Sequence, residues 1–246
     1  MDVVARLRAA GCVFAEEEAR LLTAAASGAE LESLVARRVA GEPLEPLLGW
    51  AEFCGLRVAV GPGVFVPRRR TALLVELGAD GPPGAVVVDL CFGSGAVGMA
   101  LAARIPGAEV HAADVDPVAV ACARRNLPGH AVHLGDLYAA LPAELRGRVV
   151  VLAVNAPYVP TAAMATMPPE ARDHEPAAAL DGGADGVDLH RRVAAGAREW
   201  LAPGGRLLIE TSTAQAALTA AAVAAGGLVA DVVHRADLDA TVVSGR

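Results

Sequence analysis

From about residue 71 onward, short valine-rich runs alternate with stretches of helical period, and this alternation confines the chain to a parallel sheet covered by helices on both faces. The spacing predicts strands at Val86–Leu90, Glu109–Asp114, Ala131–Leu134, Val149–Val154, Arg206–Glu210, Leu228–His234 and Thr241–Val243. Helices are expected near Ala96–Arg104, Pro117–Asn126, Val187–Leu201 and Ala214–Ala225. Little more than Asp237-Leu238-Asp239 separates the final two strands, too little chain for a crossover helix, so the last strand is expected to run antiparallel. The fold class is therefore α/β, a seven-stranded, mostly parallel, doubly wound Rossmann-like sheet occupying residues 71–246.

The remaining chain reads differently. Residues 1–45 carry three short helical patterns: one beginning with Arg6, Leu7 and Ala10, one over Glu16–Ala26 with Ala19, Leu22 and Ala26 on one stripe, and one over Glu30–Ala40, ended by Gly41 and Pro43. They bury too little area to form an independent domain and make an appendage. Residues 46–70 change period, with an alternating run from Glu52 to Val60, then Gly61-Pro62-Gly63 and Val64-Phe65-Val66, which reads as a hairpin linker turning at the glycines.

Composition narrows the class further. Apolar residues make up 54% of the chain, but the most apolar long stretch, Ala214 to Val233, carries Gln215 and Thr219 and is broken by Gly226-Gly227, so it reads as helix then strand, not a membrane span. Charges occupy the N-terminal positions where a signal peptide needs its apolar segment, and a cytoplasmic location is expected. Cys12, Cys54, Cys91 and Cys122 form no Cys-x-x-Cys pair, so neither a metal site nor a disulfide framework is expected. A net charge of −7 with 3% aromatic residues argues against a nucleic-acid partner.

The first strand runs through Asp89-Leu90 into Cys91-Phe92-Gly93-Ser94-Gly95 and then a helix. Glycines at 93 and 95 allow a tight turn and a close ligand approach, and the helix start offers free N–H donors. This segment by itself is equally a plain strand–helix turn. Two further acids join it at strand ends: Asp114, placed for ribose hydroxyls, and Asp136, placed for an adenine amino group with Leu137 against the ring. Asp89 is placed to face an ammonium group. Three acids on the carboxyl edge of three successive strands mark the ligand-binding edge of a doubly wound sheet.

The fourth strand ends in Asn155-Ala156-Pro157-Tyr158. This tetrapeptide resembles the Asn-Pro-Pro-Tyr motif of amino-methyltransferases, although an Asx turn closing a strand would look the same. An amide nitrogen is a poor nucleophile because its lone pair is delocalised; accepting its N–H bonds on the Asn155 oxygen and the Ala156 carbonyl aims that lone pair, and Tyr158 packs the flat group. The segment Pro67-Arg68-Arg69-Arg70-Thr71, Glu175-Pro176, Ala179-Leu180-Asp181-Gly182-Gly183 through Asp188, Pro203-Gly204-Gly205 and Glu210…Gln215 extend the likeness over nearly the whole chain. Together they resemble the HemK/PrmC family of protein glutamine-N5 methyltransferases.

The resemblance implies a class I methyltransferase fold and S-adenosylmethionine as cofactor, bound by Asp89, Cys91, Phe92, Gly93, Ser94, Gly95, Asp114, Asp136, Leu137 and Asn155. It implies methyl transfer by Asn155, Ala156, Pro157 and Tyr158 to a glutamine of a protein substrate, release-factor-like or ribosomal, recognised by residues 1–45. Departures from the family pattern are Ala156 for the first motif Pro, Arg70 and Ala72 for two acids, and Cys91-Phe92 for Gly-Thr; the lost acids and a shorter helical appendage point to a divergent paralogue of the high-GC bacterial branch, whose substrate need not be a release factor. Two rivals stay open: methylation of an exocyclic amine in DNA or RNA, and a non-catalytic cofactor-binding scaffold. Arg68-Arg69-Arg70 reads either as a contact to substrate or as a solvated turn.

Overall fold

The computed structural model describes residues 2–246. Three helices, α1 (Val3–Ala9), α2 (Ala15–Ala25) and α3 (Gly28–Val39), pack Leu7, Ala15, Ala19, Leu22 and Val35 into a small core of their own. Glu16, Glu17 and Glu18 in the first turn of α2, and Arg37 and Arg38 in the last turn of α3, complement the helix dipoles. Arg38 ties the group together, donating to Glu18 at 2.6 Å with both side chains almost buried. A one-turn helix, α4 (Leu44–Leu48), leads into the hairpin β1 (Trp50–Phe53) and β2 (Leu56–Ala59).

The hairpin turns at Cys54-Gly55, with φ of 52° and 79°, and not at Gly61-Pro62-Gly63. Left-handed conformation at both central residues is what a two-residue hairpin loop requires, because it matches the twist of the strands. Val64–Val66 forms no strand and instead runs as loop toward the site. The hairpin is held down by Asn126, whose side chain accepts from the Ala59 N–H and donates to the carbonyls of Ala59 and Ser94, each at 2.8 Å.

Beyond α5 (Ala72–Gly78) the sheet begins. Its elements are β3 (Val86–Leu90), α6 (Ala96–Arg104), β4 (Glu109–Asp114), α7 (Pro117–Asn126), β5 (Ala131–Leu134), β6 (Val149–Val154), α8 (Pro169–His174), α9 (Asp188–Trp200), β7 (Leu201–Thr211), α10 (Ala216–Ala225), β8 (Ala230–Arg235) and β9 (Ala240–Gly245). Strand order is β5-β4-β3-β6-β7-β9-β8, parallel as far as β7, with β9 antiparallel to both neighbours. The seven-stranded sheet and antiparallel last strand expected from the spacing are both present.

A strand covered on both faces must be apolar at nearly every position, since successive side chains point to opposite sides. Val87, Ala112, Val151, Ala153 and Leu208 face α5, α6 and α7, whereas Val86, Val88, Leu152, Val154, Leu207 and Ile209 face α9 and α10. The chain enters the sheet at β3, winds outward to β5, and returns to β6 on the other side of β3. That reversal opens a crevice at the carboxyl ends of β3, β4 and β6, where doubly wound sheets take their ligands. Among the described residues no helix is long and apolar enough to cross a membrane.

Candidate active site

One cleft at this reversal is lined by Asp89, Cys91, Phe92, Gly93, Ser94, Asp114, Asp136, Leu137 and Asn155-Ala156-Pro157-Tyr158 together. The segment after β3 turns through Cys91 (φ 56°) and Gly93 (φ 56°). The Gly93 N–H donates to Asp114 Oδ2 and the Asp116 N–H to Asp114 Oδ1, each at 3.0 Å, so the loops after β3 and β4 are stitched through one carboxylate. Asp89 is fully enclosed; its Oδ2 accepts the Gly98 N–H at 2.8 Å, and burial pushes its pKa up to about 7. Burial also raises Asp114.

Two expected ligand residues sit otherwise. Gly95 does not line the cleft; it caps α6 at φ 78°, and a Cβ there would stand 3.0 Å from the Ala123 Cβ, so its small size serves packing of α6 on α7. Asp136 reaches the cleft, but its Oδ2 is engaged by Arg192 at 2.6 Å in a half-exposed pair.

The cleft fits a cationic ligand. Among the described residues no basic side chain pairs with Asp89 or Asp114, and an enclosed carboxylate without a counter-charge is costly. Residues 56–166 match the model of the methyltransferase small domain family. The release factor glutamine methyltransferase of Geobacter sulfurreducens is 41% identical over 193 residues, covering 76% of this chain and 67% of that one. That of Bradyrhizobium diazoefficiens is 36% identical over 267 residues, covering 96% and 89%. This chain belongs to the release factor glutamine methyltransferase family. Its fold is shared by a solved methyltransferase from Pyrococcus furiosus at a TM-score of 0.57 and 17% identity, over 78% of this chain and 89% of that one.

In this member of the release factor glutamine methyltransferase family, the Asn155 segment is gripped from two sides. The Val159 N–H donates to the Leu180 carbonyl at 2.9 Å, and the Gly182 N–H returns the bond to Val159 at 2.8 Å. Gln215 Nε2 donates to the Tyr158 carbonyl at 2.7 Å and to Asp185 at 3.0 Å. A Cβ on Gly182 would lie 2.7 Å from the Tyr158 Cα and 2.8 Å from the Pro157 oxygen, which explains the glycine of the Asp-Gly-Gly run.

Arg68 and Arg70 are neither free nor plainly solvated. Arg68 pairs with buried Glu175 at 2.7 Å, and Arg70 with buried Glu210 at 3.3 Å. Arg70 stands 6.0 Å from the Tyr158 ring, and the Tyr158 hydroxyl donates to Glu210 Oε1 at 3.4 Å. Burial, then the Glu210 charge, pushes Tyr158 up to about 12, so it stays protonated at neutral pH. Asn155 Nδ2 donates to Thr71 Oγ1 at 3.3 Å. The parts played by Thr71, Glu210 and Gln215 were not legible in the motifs; the signal available was only that Thr71, Glu210 and Gln215 lie within segments resembling the family's.

Proposed function

We propose that this chain transfers a methyl group from S-adenosylmethionine to the side-chain amide nitrogen of a glutamine in a protein, a release factor, in the bacterial cytoplasm. The observation that carries the reading is the meeting in one cleft of the glycine turn, the buried Asp89 and half-buried Asp114 without a basic partner among the described residues, and the Asn155-Ala156-Pro157-Tyr158 segment. S-adenosylmethionine is the cofactor, and it supplies an electrophilic methyl on a sulfonium.

The residues of the chain do the rest. Asp114 is placed for the ribose hydroxyls and Asp89 for the cationic amino-acid end. Leu137 is buried at 7% exposure with φ 47° and lines the cleft, its apolar side chain available to an adenine ring. Asn155 Oδ1 and the Ala156 carbonyl accept the two N–H bonds of the target amide, which turns its lone pair toward the methyl, and Pro157 holds Ala156 extended. The Tyr158 ring provides the flat wall. The amide nitrogen so held would take the methyl that the sulfonium supplies, and the charged product amide would release a proton to water. Positioning of this kind supplies several kcal/mol when the reacting atoms are held at about 3–3.5 Å.

Asn155→Ala tests the reading. Its bond to the target strengthens as the nitrogen pyramidalises, so turnover should fall by about 100-fold, equivalent to about 2.7 kcal/mol, while cofactor affinity changes far less. The assay follows gain of one methyl group by mass on a release factor or a glutamine peptide. Wild-type turnover in the variant would refute the clamp.

A further inference from the structure

Asn155 accepts a bond from the target only if its amide is held one way round, and the two ends of an amide are nearly the same size. The structure shows what holds it. Asn155 Nδ2 donates to Thr71 Oγ1 at 3.3 Å, and Thr71 is 2% exposed at the start of α5. A buried hydroxyl that accepts one bond must still place its own proton.

The group beside it is the Glu210 carboxylate. Glu210 is 1% exposed, and Oε1 takes the Arg70 Nε at 3.3 Å and the Tyr158 hydroxyl at 3.4 Å. Among the described residues Oε2 has no hydrogen-bond partner. Val154 pairs with Ile209 in the sheet, so Asn155 and Glu210 are the next residues along two adjacent strands. Thr71 is a neighbour of both side chains, bonded to Asn155 and set beside Glu210.

We infer that Glu210 is a positioning residue, which through the Thr71 hydroxyl sets the direction of the Asn155 amide and through the Tyr158 hydroxyl sets the ring. An ionised carboxylate only accepts. It therefore takes the Thr71 proton, which leaves a Thr71 lone pair for Asn155 Nδ2 and turns Asn155 Oδ1 toward the cleft. Burial raises the Glu210 pKa, and Arg70, where the family pattern has an acid, supplies the positive charge that opposes the rise. Glu210→Gln places a donor in the same space; that donor can bond Thr71 Oγ1, reverse the hydroxyl and flip Asn155. What the orientation is for rests on the amide-methylation reading, but the relay itself does not.

The test uses two readouts. The chain holds two asparagines, Asn126 and Asn155, so protein labelled with nitrogen-15 asparagine shows two side-chain amide pairs by NMR. Asn126 bonds to the Ala59 and Ser94 carbonyls and reports whether the fold is intact. Glu210→Gln and Thr71→Val should each move the Asn155 pair and leave the Asn126 pair in place, and Thr71→Ser should restore it. On a glutamine peptide, kcat should fall roughly tenfold in each variant with KM and cofactor affinity within about twofold, and the double variant should be no slower than the slower single one. A purely structural role would add in the double variant. An Asn155 pair that ignores Glu210→Gln, or additive losses, would overturn the relay. If Glu210→Gln also displaces the Asn126 pair, an Asn155 pair indifferent to Thr71→Val overturns it instead. A wild-type protein that methylates no glutamine peptide would refute the function while the NMR arm still decides the relay.

Discussion

Cofactor binding should expel about half a proton near pH 7, and Asp89 is the source. Its carboxyl is enclosed and lies near Asp114, and burial pushes its pKa up to about 7 in the protein without cofactor. A cationic group brought within a few ångströms lowers a carboxyl by about 1–3 units. With the bound value near 5, the free protein is half protonated at pH 7 and the complex almost fully ionised, so roughly half a proton leaves per cofactor bound. The same linkage makes affinity rise about ninefold from pH 6 to pH 8, or about 1.3 kcal/mol. For the empty protein the sign is opposite to that of a salt-bridged acid. The folded pKa lies above the ordinary aspartate value of 3.8, so stability from this group is full below about pH 4 and is lost as pH rises through 7, on the order of 4 kcal/mol in all. Calorimetric titration with the demethylated cofactor, in two buffers of different ionisation enthalpy, measures the proton. Asp89→Asn should abolish both the buffer dependence and the slope. Affinity flat between pH 6 and 8, with no proton released by the wild type, would refute the placement of Asp89 against a cation.

Asp114→Ala should weaken cofactor binding by about 1–3 kcal/mol, through lost charge-assisted bonds and a Gly93 turn released from its carboxylate, and titration calorimetry on folded variant reads it. Gly182→Ala should destabilise the protein by about 1–3 kcal/mol or more, because the new methyl meets backbone on both sides; thermal unfolding and turnover should fall together, since the same contact holds Tyr158.

The sheet was legible because burial on two faces leaves a strand no choice but apolar residues, and Val86-Val87-Val88 and Val149-Val150-Val151 state that plainly. The hairpin turn was not, because Gly61-Pro62-Gly63 is a louder signal than Cys54-Gly55, yet only the latter adopts the paired left-handed geometry. α5 was missed for a related reason: Leu73, Leu74 and Val75 are all buried, so the helix shows no polar face and hence no period. Within the site, Asp89, Asp114 and Asn155 were readable as polar residues closing apolar strands. Thr71 and Glu210 were not, because what matters is their meeting with residues 84 and 140 positions away in sequence, and a pattern along the chain carries no such distance.

Four acids in or beside the cleft fall into two kinds, and the division explains why arginines occur at 68 and 70. Glu175 and Glu210 each hold an arginine, Arg68 and Arg70, from a segment that lines the cleft. Asp89 and Asp114 hold backbone N–H groups and no cation. An enclosed carboxylate costs several kcal/mol without a counter-charge. At Glu210 the counter-charge is resident, because the carboxylate has to stay ionised whether or not a ligand is bound. At Asp89 a resident arginine would have to be displaced by every incoming cofactor, so its coulombic gain would be subtracted from binding. Leaving Asp89 unpaired, and half protonated near neutral pH, keeps that gain for the ligand. A positive charge held beside Asp89 would repel a cationic cofactor, whereas Arg70 is already paired with Glu210.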